Sequence, residues 1–308
     1  MNKKPLVSIH ILTYNHVNYI ANGLDSILSQ DYENYEIVIG DDASIDGTQD
    51  ILKKYKEKYP DKITLVLHEV NQGITKNCNS VLKLCKGKYF ILYGGDDQML
   101  PGKLSTQVEY MEKNANCNMC YHNMEAFDLE TNDFLYYTHY DGNGKRKRDN
   151  GTVVEAIKEG VWFSPVSSMI RSENIPKYGF NERILFASDW LFYVEVFAAG
   201  GTIEYIDKVL GRYGRSSNNI TIKDRSNDYT LDLDMLDSCN ILLTKYPQYH
   251  SEIIHRYSEF LRGLRLKDNK NYLTWVISSL KIGFNSKSFI LLLIYLFTFG
   301  KVKKGFNF

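Results

Sequence analysis

The chain has 308 residues, a formal net charge of zero and 44% hydrophobic residues. This length holds one large or two medium domains with a substantial core, and one α/β domain with an appendage fits it best. Residues 245–308 include eleven Lys and Arg but only three Asp and Glu. This part therefore has a net charge of +8, and residues 1–244 have a net charge of −8. The basic residues surround an aliphatic segment and not an aromatic-studded groove. We therefore expect no nucleic-acid partner, but an anionic surface beside the C-terminal part.

The five cysteines are odd in number and widely scattered, and no hydrophobic leader precedes the first strand-like run. Both features predict a reduced, cytoplasmic protein. Cys117 and Cys120 form a C-x-x-C pair, but no second pair or histidine cluster completes a zinc set. We interpret them as ordinary strand thiols.

The first half of the chain alternates strand-like and helix-like segments, beginning with an apolar run over residues 6–12 and helical periodicity over 17–29. This βαβαβαβ order predicts an α/β fold with a mostly parallel sheet and helices on both faces. Ligands bind such sheets at the carboxyl ends of the strands. Further strands are predicted at 35–40, 63–67, 88–93, 202–206 and 209–213, a hairpin over 117–140, and further helices at 48–58, 75–85, 101–114 and 188–199.

The predicted domains are an α/β domain over residues 1–225, with halves meeting near residue 115, and a helical region over 226–308. Residues 141–151 form a polar, glycine-rich and highly charged stretch. A mobile lid and a solvated connection both remain open for it.

Four polar turns follow the first four predicted strands. Because these strand ends lie at one edge of a sheet, the turns define a single pocket. The turns read Thr13-Tyr14-Asn15, Asp41 to Thr48, Asn71-Gln72-Gly73 and Gly94-Gly95-Asp96-Asp97.

Two adjacent acids at the end of a buried strand repel each other and are costly to desolvate. A divalent cation explains them, because Asp96 and Asp97 supply the hard oxygen ligands that Mg²⁺ or Mn²⁺ prefers. The alternative is an acidic turn in which Asp97 only caps the next helix. The cation would neutralise a diphosphate leaving group.

In the second turn, Ser44, Asp46 and Thr48 are explained as turn and N-cap residues. These roles leave one carboxylate of the Asp41-Asp42 pair unexplained. A buried acceptor such as Asp42 suits the imide N–H of a uracil, and Tyr14 suits stacking on its ring.

These motifs resemble those of family 2 glycosyltransferases, inverting enzymes of the GT-A fold. The resemblance covers roughly residues 5–220 and is carried by VSIHILTYNHVNYIANGLDSILSQDYENYEIVIGDDASIDGT, NQGITKNCN and GKYFILYGGDDQMLPGKL. It implies a donor half over about 1–115 and an acceptor half over about 116–225. It also implies residues at the nucleoside (Thr13, Tyr14, Asp42), at the ribose or metal (Asp96), as principal metal ligand (Asp97) and at the pocket's edge (Asn71, Lys76).

A second block, running from Tyr178 to Arg183 and from Ala187 to Trp190, is similar to the family's acceptor-side region. There an acidic residue opening a helix serves as general base, which implies this role for Asp189. Inversion in a single displacement needs such a base to take the proton of the acceptor hydroxyl. An N-cap role for Asp189 is the alternative.

The chain departs from the family pattern after its last strand. Many relatives have Tyr-Arg-x-His there, whereas Ser216 stands nearest the position of the histidine. Arg212 or Arg215 would hold the diphosphate in its stead. A role as surface arginines is the alternative.

The most hydrophobic stretch is Ser288 to Gly300, flanked by Lys281, Lys287, Lys301, Lys303 and Lys304. Its apolar core is shorter than the ~20 residues of a spanning helix. We expect an interfacial helix on anionic lipid, which places the protein peripherally on the inner face of the plasma membrane. A buried bundle helix and a homodimer contact are the alternatives.

The sequence thus predicts a metal-dependent inverting transfer of a sugar, from a nucleoside diphosphate (UDP in first place) to a lipid-linked glycan of a surface polysaccharide such as O-antigen or capsule. A sugar nucleotidyltransferase is disfavoured, because a Gly-rich phosphate loop is absent after the first strand. A non-catalytic protein that kept the fold is the other alternative.

Overall fold

The computed structural model describes residues 4–185, 188–216, 229–298 and 300. The chain divides into two compact units. The first comprises Met1–Val153, Val161–Glu182 and Phe192–Lys223, and the second comprises Val154–Gly160, Arg183–Leu191 and Asp224–Phe308. The domain boundary that we expect near residue 225 lies outside the described residues.

Strands of the first unit follow the predicted order in its N-terminal part and extend beyond it. The strands are β1 (Val7–Thr13), β2 (Tyr35–Asp41), β3 (Ile63–Leu67), β4 (Tyr89–Gly94), β5 (Gln98–Met99), β6 (Cys117–Asp128), β7 (Phe134–Tyr137), β8 (Met169–Arg171) and β9 (Thr202–Arg215). The helices along the chain are α1 (Ile20–Leu28), α2 (Thr48–Lys58), α3 (Ile74–Leu82), α4 (Lys103–Lys113), α5 (Val153–Glu159), α6 (Ser188–Ala198), α7 (Thr230–Lys245), α8 (His250–Leu264), α9 (Tyr272–Ile282) and α10 (Ser286–Phe297).

Within the described residues these strands form one sheet in the order β3-β2-β1-β4-β8-β6-β9-β5, with β7 paired to β6. Strands β3, β2, β1 and β4 are parallel, as predicted. Farther along, β8 pairs antiparallel with both β4 and β6, while β6 and β9 are parallel. The sheet is therefore mixed, and parallel pairing dominates only its N-terminal part.

Several elements differ from the sequence prediction. The two late strands are a single strand, β9, whose pairing with β6 contains register shifts. The two-residue strand β5, the three-residue strand β8 and the helix α5 were not predicted. A strand of three residues is too short to show periodicity, and its place is set by its partners β4 and β6.

The core is formed where apolar periodicity predicted it. Side chains from both faces of β1 are buried, as expected for a strand covered on both sides. His10 lies among them: its Nε2 is 2.9 Å from the Cys78 carbonyl oxygen, and burial lowers its pKa to about 4, so the imidazole is neutral. On α1 the helical spacing of Ile20, Leu24 and Ile27 places all three in the core.

The charged stretch over 141–151 is tied to its surroundings. Gly151 exchanges two backbone hydrogen bonds with Ile203, and the Tyr121 hydroxyl donates to the Arg148 carbonyl at 2.6 Å. His139 Nε2 lies 2.9 Å from a carboxylate oxygen of Asp149. These contacts favour a structured connection over a lid.

In the second unit, helices α8, α9 and α10 pack through a small apolar core and a chain of buried hydroxyls. Tyr272, Val276 and Leu291 form the core. Ser279 Oγ lies 2.9 Å from Ser258 Oγ and 2.8 Å from Ser288 Oγ. The inner face of α10 thus packs in a helical bundle, which was one of the alternatives to an interfacial helix. Among the described residues, we find no helix with the length and apolarity that crossing a membrane requires.

Candidate active site

The four polar turns lie side by side at the carboxyl edge of β3, β2, β1 and β4. Backbone hydrogen bonds join them: Asp42 donates to the Thr13 carbonyl at 3.1 Å, and Gly95 donates to the Leu12 carbonyl at 3.0 Å. His68, after β3, donates to the Asp41 carbonyl at 3.0 Å. The parallel pairing of the strands thus brings the predicted turns to one edge.

Asn15 fastens the first turn to the second. Its φ of 55° is in the left-handed region, which asparagine tolerates better than most residues. Its backbone N–H donates to Ser44 Oγ at 2.8 Å, and its Oδ1 accepts from the Ile45 N–H at 3.0 Å. The neighbouring Tyr14 is 47% exposed, so its ring is available to a ligand.

Two acids of the second turn stabilise the turn itself. Asp41 accepts from the Ser44 backbone at 2.9 Å and from Gln49 Nε2 at 2.7 Å. Asp46 accepts from the backbone of Val17 and of Thr48, each at 3.0 Å. Both carboxylates therefore have structural partners, as the turn and N-cap interpretation predicted for Asp46.

Asp42 is buried and joins the second turn to the third. Its two oxygens accept from the backbone N–H groups of Gln72 at 2.6 Å and Gly73 at 3.0 Å. These two hydrogen bonds give Asp42 a structural role, which the sequence pattern had not explained. Each oxygen keeps a further acceptor position, so a contact with a base stays a prediction.

The two residues predicted at the edge of the pocket are exposed. Asn71 Oδ1 accepts from the Gly73 N–H at 3.1 Å and so shapes the third turn. Lys76 lies in the first turn of α3, with its side chain at the surface.

Asp96 and Asp97 direct carboxylate oxygens to the same side of Gly94. A Cβ placed on Gly94 would lie 2.8 Å from Asp96 Oδ1 and 2.6 Å from Asp97 Oδ2, so any side chain there would collide with both acids. Asp97 is 2% exposed, and its Oδ1 accepts from the Gly214 N–H at 3.0 Å. Asp96 is half-buried.

Burial, followed by the charge of Asp96, raises the pKa of Asp97 well above its ordinary value. A bound cation would offset both causes, since it supplies charge to the desolvated carboxylate and separates the repelling pair. Within the described ranges, no group of three or more His, Cys, Asp or Glu side chains could hold a metal ion. Two carboxylates therefore fit Mn²⁺ or Mg²⁺ only as a site completed by diphosphate oxygens and water.

Three residues at this edge were not predicted from the sequence. Gly214 binds Asp97, and a Cβ on it would lie 2.5 Å from the Asp96 carbonyl oxygen. His16 borders the same turn, since a Cβ on Gly95 would lie 2.8 Å from its Nδ1. Gln98 follows the acid pair and accepts from Arg212. A glycine inside a strand, as at 214, is a signal of close backbone approach.

The two candidate diphosphate arginines differ in their surroundings. Arg212 donates from Nε to Glu125 at 2.6 Å and from Nη1 to Gln98 at 3.1 Å, so its guanidinium is engaged on the sheet. Arg215 ends β9, with Nη1 3.3 Å from the Tyr213 hydroxyl. Ser216 is the last described residue of this region, and Ser217 to Thr221 lie outside the described residues.

Asp189 belongs to the second unit and lies in the first turn of α6. One of its carboxylate oxygens lies 2.7 Å from its neighbour's backbone N–H, that of Trp190. The side chain is solvent-accessible, and partial desolvation by the surrounding protein raises the pKa of its carboxyl. Its role as a base stays a prediction.

Solved structures share this architecture and define the class of fold. The Staphylococcus aureus protein TarS, residues 1–349 in complex with UDP-GlcNAc, matches with a TM-score of 0.69 at 19% identity over 96% of this chain and 87% of that one. The mannosyltransferase PcManGT from Pyrobaculum calidifontis, in complex with GDP-Man and Mn²⁺, matches with a TM-score of 0.60 at 16% identity over 97% and 82%. The fold is therefore the GT-A fold of glycosyltransferases, as predicted.

The sequence identifies the family. The model of glycosyl transferase family 2 matches residues 8–173, more than half of the chain. The protein belongs to this family, which confirms the resemblance found in the motifs.

Relatives with curated names are described as glycosyltransferases. EpsE of Bacillus subtilis (strain 168), which its name assigns to the glycosyltransferases, is 37% identical over 42% of this chain and 46% of its own length. WfaP of Escherichia coli, named UDP-Glc:alpha-D-GlcNAc-diphosphoundecaprenol beta-1,3-glucosyltransferase, is 38% identical over 35% of this chain and 41% of its own length. The chain thus matches less than half the length of each of these relatives.

Proposed function

We propose that this protein is an inverting glycosyltransferase that moves a hexosyl or N-acetylhexosaminyl group from a nucleoside diphosphate donor, UDP in first place, to a glycan acceptor. The observation that carries the proposal is the pair of carboxylates, Asp96 and Asp97, beside Gly94 at the edge where four turns converge. Family membership and the UDP-GlcNAc bound by TarS support the donor class. We place the acceptor on a lipid-linked glycan of a surface polysaccharide, which the name of WfaP supports.

The donor would be held by residues of the first unit. Tyr14 offers an exposed ring for the base, while the buried Thr13 and Asp42 would contact the nucleoside. Asp96 and Asp97 would hold Mn²⁺ or Mg²⁺, which when bound supplies positive charge against the departing diphosphate. Of the two arginines we assign Arg215 to the diphosphate, because it directly follows Gly214, whose N–H donates to Asp97.

The reaction is a single displacement. The acceptor hydroxyl oxygen forms a bond to the anomeric carbon while the bond from that carbon to the diphosphate oxygen breaks. Asp189 takes the hydroxyl proton, and its raised pKa makes it a stronger base than an ordinary carboxylate. The remaining catalytic effect is positioning of the two substrates.

The donor assignment is tested by thermal unfolding with a panel of nucleotide sugars, with and without Mn²⁺. A ligand at 100 times its dissociation constant stabilises a protein by about 2.7 kcal/mol, so a donor that binds is readily detected. We expect a UDP-sugar to raise the melting temperature in the presence of Mn²⁺ only.

The matched variants are Asp97→Asn and Asp61→Asn. Asp97→Asn should lose the Mn²⁺-dependent shift, whereas Asp61→Asn, an exposed aspartate away from the four turns, should keep it. Failure of every nucleotide sugar to stabilise the wild-type protein would refute the proposed function. An equal shift in both variants would refute the cation site.

A further inference from the structure

Strand β7 presents an unusual exposed surface in the first unit. It pairs with β6, and its four side chains are all exposed: Phe134 by 54%, Leu135 by 45%, Tyr136 by 45% and Tyr137 by 42%. Adjoining exposed aromatic side chains on a folded domain indicate a surface that binds something.

A register shift in the β6–β7 pairing determines which of these side chains lie on each face of the sheet. Phe134 pairs with Phe127 and Tyr137 pairs with Glu125, with a register shift between them that leaves Leu135 unpaired. Paired residues on neighbouring strands share a face, so Phe134 and Tyr137 lie on one face, with their ring centroids 4.9 Å apart. Tyr136, paired with Ala126, projects to the opposite face.

The face that carries the two rings continues in register toward the candidate active site. Glu125 pairs with Arg212 of β9, and Arg212 pairs with Gln98 of β5, the residue that follows Asp97. The Arg212 guanidinium lies 4.0 Å above the ring centroid of Phe127 and donates to Glu125 at 2.6 Å. We call Phe134, Tyr137, Glu125, Arg212 and Gln98 the β7 strip.

The strip is close to the reacting edge. Phe127 pairs with Phe134 on one side and with Gly214 on the other, and Gly214 donates to Asp97. Two interstrand spacings separate β7 from Gly214, about 10 Å. An extended ligand that lies on the two rings is therefore in reach of the acid pair.

From this geometry we infer that the β7 strip binds the glycan acceptor, with sugar rings stacked on Phe134 and Tyr137 and sugar hydroxyls bonded to Glu125 and Arg212. The inference rests on the proposed function and adds to it the place and the chemistry of acceptor recognition. A sugar ring has apolar C–H faces and a rim of hydroxyls, which matches an aromatic pair beside a row of polar side chains. A second copy of the chain would instead pair with β7 through its backbone, without regard to the face that a side chain occupies.

Tyr136 and Tyr137 make a matched pair for the test, because they are neighbours of nearly equal exposure on opposite faces. A panel of tri- and tetrasaccharides with glucose, galactose or N-acetylglucosamine ends is measured by saturation-transfer NMR on the wild-type protein and on Tyr137→Ala and Tyr136→Ala. We expect Tyr137→Ala to weaken binding at least ten-fold and Tyr136→Ala less than two-fold. UDP with Mn²⁺ should stabilise all three proteins equally.

Equal weakening of oligosaccharide binding in the two variants, or no binding of any oligosaccharide by the wild-type protein, would refute the assignment of the β7 strip to the acceptor. A concentration-dependent dimer that both substitutions dissociate would assign β7 to a second copy. Each of these results leaves nucleotide-sugar binding intact, so failure of the strip is distinct from failure of the proposed function. Phe134→Ala, checked for folding by circular dichroism, should reproduce the effect of Tyr137→Ala.

Discussion

At the scale of single residues, Asp189 combines solvent access with a raised pKa. A base must be deprotonated to accept a proton, so activity falls as the pH drops through the pKa of the base. Because desolvation raises that pKa, we expect the transfer rate to fall to half at a pH above the ordinary aspartate pKa of about 3.9. Transfer measured from pH 4 to pH 8 tests this.

Asp189→Asn keeps an oxygen that can accept the Trp190 N–H and removes the base. We expect turnover to fall by about 10² or more, with an unchanged melting temperature and unchanged donor binding. Wild-type turnover in this variant would rule out Asp189 as the base.

Lys103 is a buried titratable residue that the proposed reaction does not use. It is fully buried, and its Nζ lies 2.7 Å from His122 Nε2. Burial lowers the pKa of Lys103 from 10.5 to about 7, and the nearby Cys120 and Asp97 oppose this shift. The same burial, together with Lys103, holds the pKa of His122 well below its ordinary value, so the imidazole is neutral.

Between pH 7 and 10.5 the unfolded chain therefore binds a proton at Lys103 that the folded protein releases. The free energy of unfolding should rise with pH in this window, by up to about 1.4 kcal/mol per pH unit from this group. Lys103→Met should flatten the rise, measured by urea unfolding at pH 7, 8.5 and 10. An equally steep rise in the variant would show that another group is responsible.

At the scale of elements, β9 connects the sheet to the acid pair. Its Gly214 has no room for a side chain, because a Cβ would lie 2.5 Å from the Asp96 carbonyl and 2.8 Å from a methyl carbon of Leu129. Gly214→Ala should therefore displace the turn that holds Asp96 and Asp97. We expect a loss of about 1–3 kcal/mol in unfolding free energy and loss of Mn²⁺-dependent donor binding.

Gly263 in α8 is the control, since a Cβ there meets no atom of the described part of the chain within 4 Å. Gly263→Ala should stabilise the protein by about 0.4–1 kcal/mol, because alanine loses less backbone freedom than glycine in a helix. Donor binding in this variant should equal that of the wild type. Full donor binding in Gly214→Ala would show that β9 does not position the acid pair.

At the scale of the whole molecule, the second unit carries an apolar surface. Phe284 is 76% exposed, Phe289 43% and Phe297 80%, although α10 also packs in the bundle through Leu291. Lys281 and Lys287 are close to Phe284 and Phe289 in the sequence, and Lys301, Lys303 and Lys304 lie outside the described residues. We propose that this surface rests on anionic lipid at the inner face of the plasma membrane.

Flotation with vesicles of phosphatidylglycerol and phosphatidylcholine tests this proposal. Phe284→Asp combined with Phe289→Asp should release the protein, because each charge must otherwise enter the interface. The control Leu233→Asp, at a residue 57% exposed on α7, should still float. Equal flotation of all three proteins would show that Phe284 and Phe289 do not contact the lipid, and failure of the wild-type protein to float would contradict the membrane assignment.

The sequence by itself determined the parts that depend on local pattern. Apolar periodicity identified β1 to β4 and the helices between them, because burial on a regular element repeats at the period of that element. The turn chemistry then predicted the position of Asp96 and Asp97 at the edge of the sheet, since parallel strands bring their carboxyl ends to one edge. The family followed from the same turns.

Only the tertiary structure decided how distant segments meet. The insertion of β8 between β4 and β6, the bond from Gly214 to Asp97 and the shared face of Phe134 and Tyr137 all depend on pairing between residues far apart in the chain. Such pairings are selected by the packing of the whole sheet, and a one-residue change of register moves every side chain of a strand to the other face. The pattern of a single strand does not determine its partner or its register, because both depend on contacts with the other strands of the sheet.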